Sequence, residues 1–299
     1  MKGILLVDKP VGRTSHDVVN MIRRAAGMRR VGHTGTLDPN ATGLLIICLG
    51  QATRLSEFLT GLDKVYEGSM RLGLETDSFD MDGEVVAERP APEFTLEQIQ
   101  AVFDHFLGEI EQLPPMVSAV KVGGERLYNL ARKGETVERQ PRRVTVHEFL
   151  ALGYEPPQIQ FRLRCATGTY ARALAHDVGQ QLGCGATLEQ LRRTWVGHHC
   201  VDNAAPAESF ESADDVRARL MPMADALNLP AVVVRRGSRG AVVNGGAIGR
   251  NDLAGEWPES GGWVQIKAES GELLAVGEAV APGPMGPLIR PKRVLCGPS

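Results

Sequence analysis

The longest uninterrupted apolar run is six residues, Leu44 to Leu49. A run of that length builds a buried strand, whereas a membrane-spanning helix takes roughly 20 apolar residues. No transmembrane helix is therefore expected. The chain must instead pack many short elements. Its 43% hydrophobic and 23% charged residues supply a real core and exclude wholesale disorder. At 299 residues, two domains are the natural division. The start, Met1 to Asp8, has one basic residue, a short apolar run and then an acid, the wrong pattern for a signal peptide. The five cysteines include no Cys-x-x-Cys pair and are odd in number, which argues against a disulfide framework and a zinc ribbon. A soluble, cytoplasmic chain with reduced thiols is expected.

The formal net charge of -3 hides a segregated distribution. Residues 1–60 carry 8 basic and 4 acidic side chains, 61–120 carry 3 and 13, and 121–200 carry 12 and 7. Two basic segments thus flank an acidic block. Should they converge, they form a positive groove on a mildly acidic protein. Taken alone, the charges favour the plainer reading, in which both signs mix on solvated faces.

Gly3 to Asp8 reads as a buried strand ending at Lys9-Pro10. Thr14-Ser15 offers an N-cap, Val18, Val19, Ile22 and Ala26 fall at helical spacing, and Gly27 ends the helix. Residues 31–43 read as loop, Leu44 to Leu49 as strand, Gln51 to Leu59 as a short helix and Lys64 to Leu74 as strand. An acidic turn, Asp77 to Gly83, precedes a short strand, Glu84 to Ala87. Thr95 caps a helix to about Leu107, with Gln98 at its third position. Pro114-Pro115 precedes a strand through Val122. In the Gly- and Arg-rich stretch 123–143 only Leu127 to Lys133 looks helical. Val144 to Tyr154 and Ile159 to Ala166 read as strands, and Thr169 to Leu182 as an amphipathic helix. Strands and helices mix without strict alternation, which favours an α+β fold. Residues 201–230 read as an acidic connection with two short helical patches. From Ala231 onward, short apolar runs (231–234, 241–243, 263–266, 273–276) separated by Gly-containing turns indicate a small all-β module.

The segment Gly32-His33-Thr34-Gly35-Thr36-Leu37-Asp38-Pro39-Asn40-Ala41-Thr42-Gly43 places a His and an Asp in a Gly-rich loop between a helix and a strand. Loops held on a rigid scaffold are where catalytic groups sit, although an Asp-Pro turn explains the local pattern as well. It is not a phosphate loop, because Gly-x-x-x-x-Gly-Lys-Ser/Thr is absent. The segment resembles motif II of the pseudouridine synthases, in particular the TruB branch acting on tRNA uridine 55. Further blocks follow in the family's order. They are Gly3 to Ser15, Lys64-Val65-Tyr66, Leu72-Gly73, Thr76-Asp77 with Asp80 and Gly83, and Pro114 to Lys121. Gly124 to Gly134, Cys165 to Gly179, Leu182 to Ala186 and Leu191-Arg192-Arg193-Thr194 complete the set.

The resemblance implies a central mixed, mostly antiparallel sheet and an isomerase that needs neither metal nor nucleotide cofactor. The N1–C1′ bond of a flipped uridine breaks, the base rotates, and C5 joins C1′. Asp38 matches the carboxylate that acts on the sugar, by attack at C1′ or by promoting loss of the 2′ proton. It must be ionised, and a nearby cation is expected to keep its pKa low. Arg172 matches its arginine partner, and Tyr66 the active-site tyrosine that stacks on the base. Tyr170 matches a second nucleotide-contacting tyrosine, His33 a histidine that meets the RNA beside the flipped base, and Leu191 a residue touching that base. Lys9 and Lys64 are lesser candidates, for packing near the site or for phosphate contact. Taken singly, a surface arginine, a core tyrosine or leucine and a solvated histidine would be the ordinary readings. Ser78 and Thr187 depart from the family's commoner Thr and His, which bears on packing or RNA contact and removes no catalytic group.

The resemblance further implies domains at 1–229 (catalytic, with a mobile RNA-binding insertion at 121–143) and 231–297. The latter resembles a PUA-type RNA-binding module through Val242 to Ile248 and Leu288 to Leu295; a structural cap is the plainer reading. The implied partner is tRNA, through its T-loop and acceptor end, with no membrane, no obligatory protein partner and a monomeric chain. The rival readings are a guide-RNA-dependent synthase of the dyskerin/Cbf type, a tRNA-refolding chaperone with dispensable catalysis, and a glycosidase-like activity releasing uracil.

Overall fold

The computed structural model describes residues 1–115, 121–122, 125–126, 137, 139–258, 261–283 and 286–296. The strand expected over 116–120 and the helix at Leu127 to Lys133 lie outside the described residues, as does most of the expected insertion.

The chain begins with β1 (Gly3–Lys9), α1 (Ser15–Ala26), β2 (Val31–Thr34) and β3 (Thr42–Leu49). A short α2 (Ser56–Gly61), β4 (Lys64–Leu72), α3 (Leu96–Asp104) and β5 (Gly108–Gln112) follow. Then come β6 (Arg142–Glu155), β7 (Gln158–Cys165), α4 (Ala171–Gln181), β8 (Ala186–Val196) and a two-residue β9 (Ala205–Pro206). These strands form one sheet in the order β9-β1-β3-β8-β4-β7-β6-β5, with β2 added alongside β3. The β1–β9 and β3–β8 pairs are parallel; the other pairs along this path are antiparallel. This is the expected mixed, mostly antiparallel sheet of an α+β protein.

Local chemistry explains the first elements. Thr14 and Asp17 form a reciprocal capping box, and Gly27 closes α1 at φ 62°. Val18, Val19 and Ile22 of α1 bury against Leu5, Val7, Leu45 and Ile47, each contributing about 1.5–3 kcal/mol. Thr95 and Gln98 cap α3 in the same way. Alternate residues of β1 and β3 (Ile4, Leu44, Ile46, Cys48) face the other way. They pack with Leu273, Val276 and Leu295, so both faces of this half of the sheet are covered and its strands are apolar throughout. The C-terminal segment forms a second, five-stranded sheet. Among the described residues no helix is long and apolar enough to cross a membrane.

Four elements differ from the sequence expectation. Val31–Thr34, read as loop, is a strand because it hydrogen-bonds onto β3. β5 has the sequence Gly-Glu-Ile-Glu-Gln, an exposed edge strand with one apolar residue and therefore no apolar alternation to read. β8 is central yet carries Glu189, Gln190, Arg192 and Arg193, which masks it as a strand. The run at 241–243 lies in a short helix, Arg239–Val243, within the otherwise β module.

Candidate active site

Asp38 lies in the loop from β2 to β3, and both of its neighbours are fastened. Ser15, buried at the start of α1, accepts from the Leu37 N–H (2.9 Å) and donates to the Leu37 carbonyl (3.1 Å). The Pro39 carbonyl accepts from the Gly12 N–H (2.9 Å) and from Lys9 Nζ (3.0 Å). Lys9 Nζ also donates to the carbonyls of Pro10 (2.8 Å) and Arg13 (2.6 Å). Lys9 is fully buried, so of its two expected roles it fills the packing one. The loop then enters β3 at Thr42, where the parallel pairing with β8 begins and runs on to Gly43.

Arg172, in the first turn of α4, grips Asp38 with an ion-pair contact, Nε to Oδ2 at 3.1 Å, and a hydrogen bond, Nη2 to Oδ1 at 3.2 Å. Its Nη1 reaches Asp80 Oδ2 (3.1 Å) and the Ser78 carbonyl (3.3 Å). One buried guanidinium is thus shared between two carboxylates. Asp80 is itself presented by a tight turn. Ser78 Oγ donates to Asp80 Oδ1 (2.5 Å) and the Asp82 N–H to the same atom (3.1 Å). Thr76 Oγ1 donates to the Asp80 carbonyl (2.7 Å), and the Thr76 and Thr187 hydroxyls lie 2.9 Å apart. Ser78 and Thr187 therefore serve the packing of this turn. Phe79 within it has φ 65° and stacks on His176 of α4 at 4.1 Å.

The direction of the Asp38 pKa corrects the sequence expectation. Burial pushes it above the ordinary carboxylate value, opposed by Arg172 and reinforced by the charges of Asp80 and Asp82. The Asp38 side chain is 40% exposed, so part of it meets the cleft while the rest lies against protein. A cation divided between two carboxylates does not outweigh that desolvation.

Asp38, Lys64, Tyr66, Tyr170, Arg172 and Leu191 all line one cleft of about 250 Å³. Tyr66 lies on β4, opposite Leu163 of β7 and Arg193 of β8. Burial raises its phenol pKa, while the charge of Arg193 opposes this. Lys64 donates to the Thr60 carbonyl at 2.6 Å; burial and the charge of Arg193 bring its pKa down to about 8. Tyr170 is the residue before α4 and exchanges two bonds with Gln112 of β5: its N–H donates to Oε1 (2.7 Å) and its carbonyl accepts from Nε2 (3.0 Å). His33, on β2, stands outside this lining; burial lowers its pKa, assisted by Arg193 and His16.

Arg193 and Gln112 belong to the site and were not singled out from sequence. Both sit on the two strands whose polar residues hid them. Their one sequence signal was the Arg193 position in the closing Leu191 to Thr194 block. Among the described residues no three His, Cys, Asp or Glu side chains gather as a metal site.

Comparison with known proteins bears on this geometry. The family model for the TruB family pseudouridylate synthase (N terminal domain) matches residues 23–171. That for the tRNA pseudouridylate synthase B C-terminal domain matches residues 172–228. A tRNA pseudouridine synthase B of Opitutus terrae is 49% identical over 235 residues, 78% of this chain and 97% of its own. The one of Solibacter usitatus is 41% identical over 293 residues, 97% of this chain and 99% of its own. Among solved structures, a chain in a Cbf5–Nop10–Gar1 complex superposes with a TM-score of 0.74 at 27% identity, covering 99% of this chain and 85% of that one.

Proposed function

The chain belongs to the TruB family of pseudouridylate synthases, and on that footing we propose that it isomerises uridine to pseudouridine at position 55 in the T-loop of tRNA. The observation that carries the proposal is the two-point grip of Arg172 on Asp38, beside Tyr66 in one cleft.

A uridine stacked inside folded RNA cannot reach Asp38. The base is extruded into the cleft, at a cost of about a few kcal/mol of lost stacking. A cleft of about 250 Å³ suits a single nucleotide and excludes a duplex. Asp38, oriented by Arg172, acts on the sugar, by attack at C1′ or at the 2′ proton. Its raised pKa lessens its charge at low pH and strengthens it as a nucleophile or base once ionised. The Tyr66 ring stacks on the base, with its hydroxyl placed to exchange a proton with it. Tyr170 and Leu191 wall the base, Lys64 adds positive charge at the cleft, and His33 meets the RNA beside the flipped base. The exchange of C1′–N1 for C1′–C5 is intramolecular and redox-neutral, so it consumes no cofactor.

In the same proposal, residues 1–229 carry catalysis and 231–297 form a PUA-like module that meets the acceptor end of tRNA, with 121–143 as the insertion over the T-loop. The protein works as a cytoplasmic monomer without an obligatory protein partner. The Cbf5 likeness relates the chain to guide-dependent enzymes, but at 27% identity against 41–49% for the tRNA synthases. The test is a bare tRNA transcript carrying tritium at uridine C5. Release with pseudouridine mapped to position 55 supports the reading. Release only with added guide RNA, free uracil, or binding without release would each replace it.

A further inference from the structure

We propose that Gln112 is a positioning residue for the isomerisation: its side-chain amide clamps the backbone of Tyr170 and so holds the first turn of α4, with Arg172, against Asp38. The inference rests on the roles given to Asp38 and Arg172 above.

β5 is an exposed edge strand, and the one residue it buries fully is its glutamine, 2% exposed. Burying an amide is costly unless its hydrogen bonds are met. Gln112 meets them on a single residue: Oε1 accepts from the Tyr170 N–H (2.7 Å), and Nε2 donates to the Tyr170 carbonyl (3.0 Å). That exchange takes an acceptor and a donor side by side in one plane, which an amide provides and a carboxylate does not. The reverse setting of the amide would turn donor toward donor, so the two partners fix its orientation.

The clamp falls where α4 lacks a local one. Tyr170 is the N-cap residue of the helix, and its side chain makes no capping bond. The Tyr170 carbonyl also accepts from the Leu174 N–H (3.2 Å), which closes the first turn of α4. Gln112 thus ties the start of the helix to the sheet, at the point where β5 pairs with β6. The segment's other end is tied to the same two strands, the Ala166 N–H donating to the Thr145 carbonyl of β6 (2.8 Å). Residues 166–172 all line the cleft, and Gln112 stands outside that lining. Gln112 therefore acts on the chemistry only through Tyr170 and Arg172. Without the clamp the helix start is free to shift, and Arg172 lies two residues further on. The Arg172 charge opposes the burial that raises the Asp38 pKa, so a loosened grip raises that pKa further.

The test is the pH dependence of single-turnover tritium release at saturating tRNA for the wild type and Gln112→Met. Methionine keeps the length of the side chain and loses both bonds. The plateau rate is expected to fall about 100-fold, the scale of an ångström-level misplacement, and the acid limb is expected to move to higher pH. A glutamine that serves stability alone would lower Tm and leave the limb in place. A limb at the wild-type pH or below it, or a plateau equal to the wild type's, overturns the proposal. Should Gln112→Met fail to fold, Gln112→Glu is read in the same assay against the same outcomes. It keeps the volume and the acceptor for the Tyr170 N–H and loses only the donor to the carbonyl. Failure of the wild type to release tritium would overturn the pseudouridine synthase reading instead.

Discussion

Gly43→Ala tests whether the β3–β8 crossing positions the catalytic loop. Gly43 has φ +100°, where a non-glycine residue pays about 1–3 kcal/mol. An alanine Cβ would stand 2.3 Å from the Arg193 carbonyl oxygen and 2.8 Å from its amide nitrogen. Ordinary contact begins at 3.4 Å, so the strands must part by about 1 Å and the parallel pairs Arg192–Thr42 and Arg193–Gly43 are disturbed. Overpacking of this kind costs a further 1–3 kcal/mol or so. The sum, about 2–6 kcal/mol, lowers Tm by roughly 5–20 °C for a chain of this size. Asp38 lies five residues upstream on the same connection, and a 1 Å displacement there costs about 100-fold in rate. Calorimetry and single-turnover tritium release read the two effects. A variant with the wild-type Tm and rate would refute the reasoning.

Asp38 must be ionised to act, and its pKa lies above the ordinary carboxylate value, so the single-turnover rate should fall as pH drops through that raised value. Asp80→Asn removes a charge that raises it and should move the acid limb to lower pH, measured as a pH–rate profile. Lys9→Met deletes the donor to three carbonyls around the Asp38 loop and should cost about 2–4 kcal/mol in urea unfolding. Lys9 and Lys64 both have pKa values of about 8 in the fold against 10.5 in the open chain. The unfolded state therefore binds more protons between those values, and wild-type stability should rise from pH 8 toward pH 10.

The sequence displayed what is local. The Thr14 and Thr95 caps, the apolar strands β1 and β3 and the Gly-rich loop of Asp38 each carry their signal within a few residues. The site is not local. Arg172 reaches Asp38 across 134 positions of chain, and only the family resemblance connected them. Arg193 lies on a strand masked by its charged residues, and its own charge is buried on two backbone carbonyls, a cost that composition does not display. β5 was hidden in the same way, and with it Gln112, which fastens Tyr170. The pKa of Asp38 was misjudged because a sequence shows that an arginine is present and not that Asp80 shares it.

The central claim is that Asp38, gripped by Arg172, performs the isomerisation. Its most direct test is pseudouridine formation at position 55 of a bare tRNA transcript by the wild type and Asp38→Asn, with tRNA binding measured for both. The account predicts full conversion by the wild type, none by the variant and equal binding. Conversion by Asp38→Asn at the wild-type rate would contradict it.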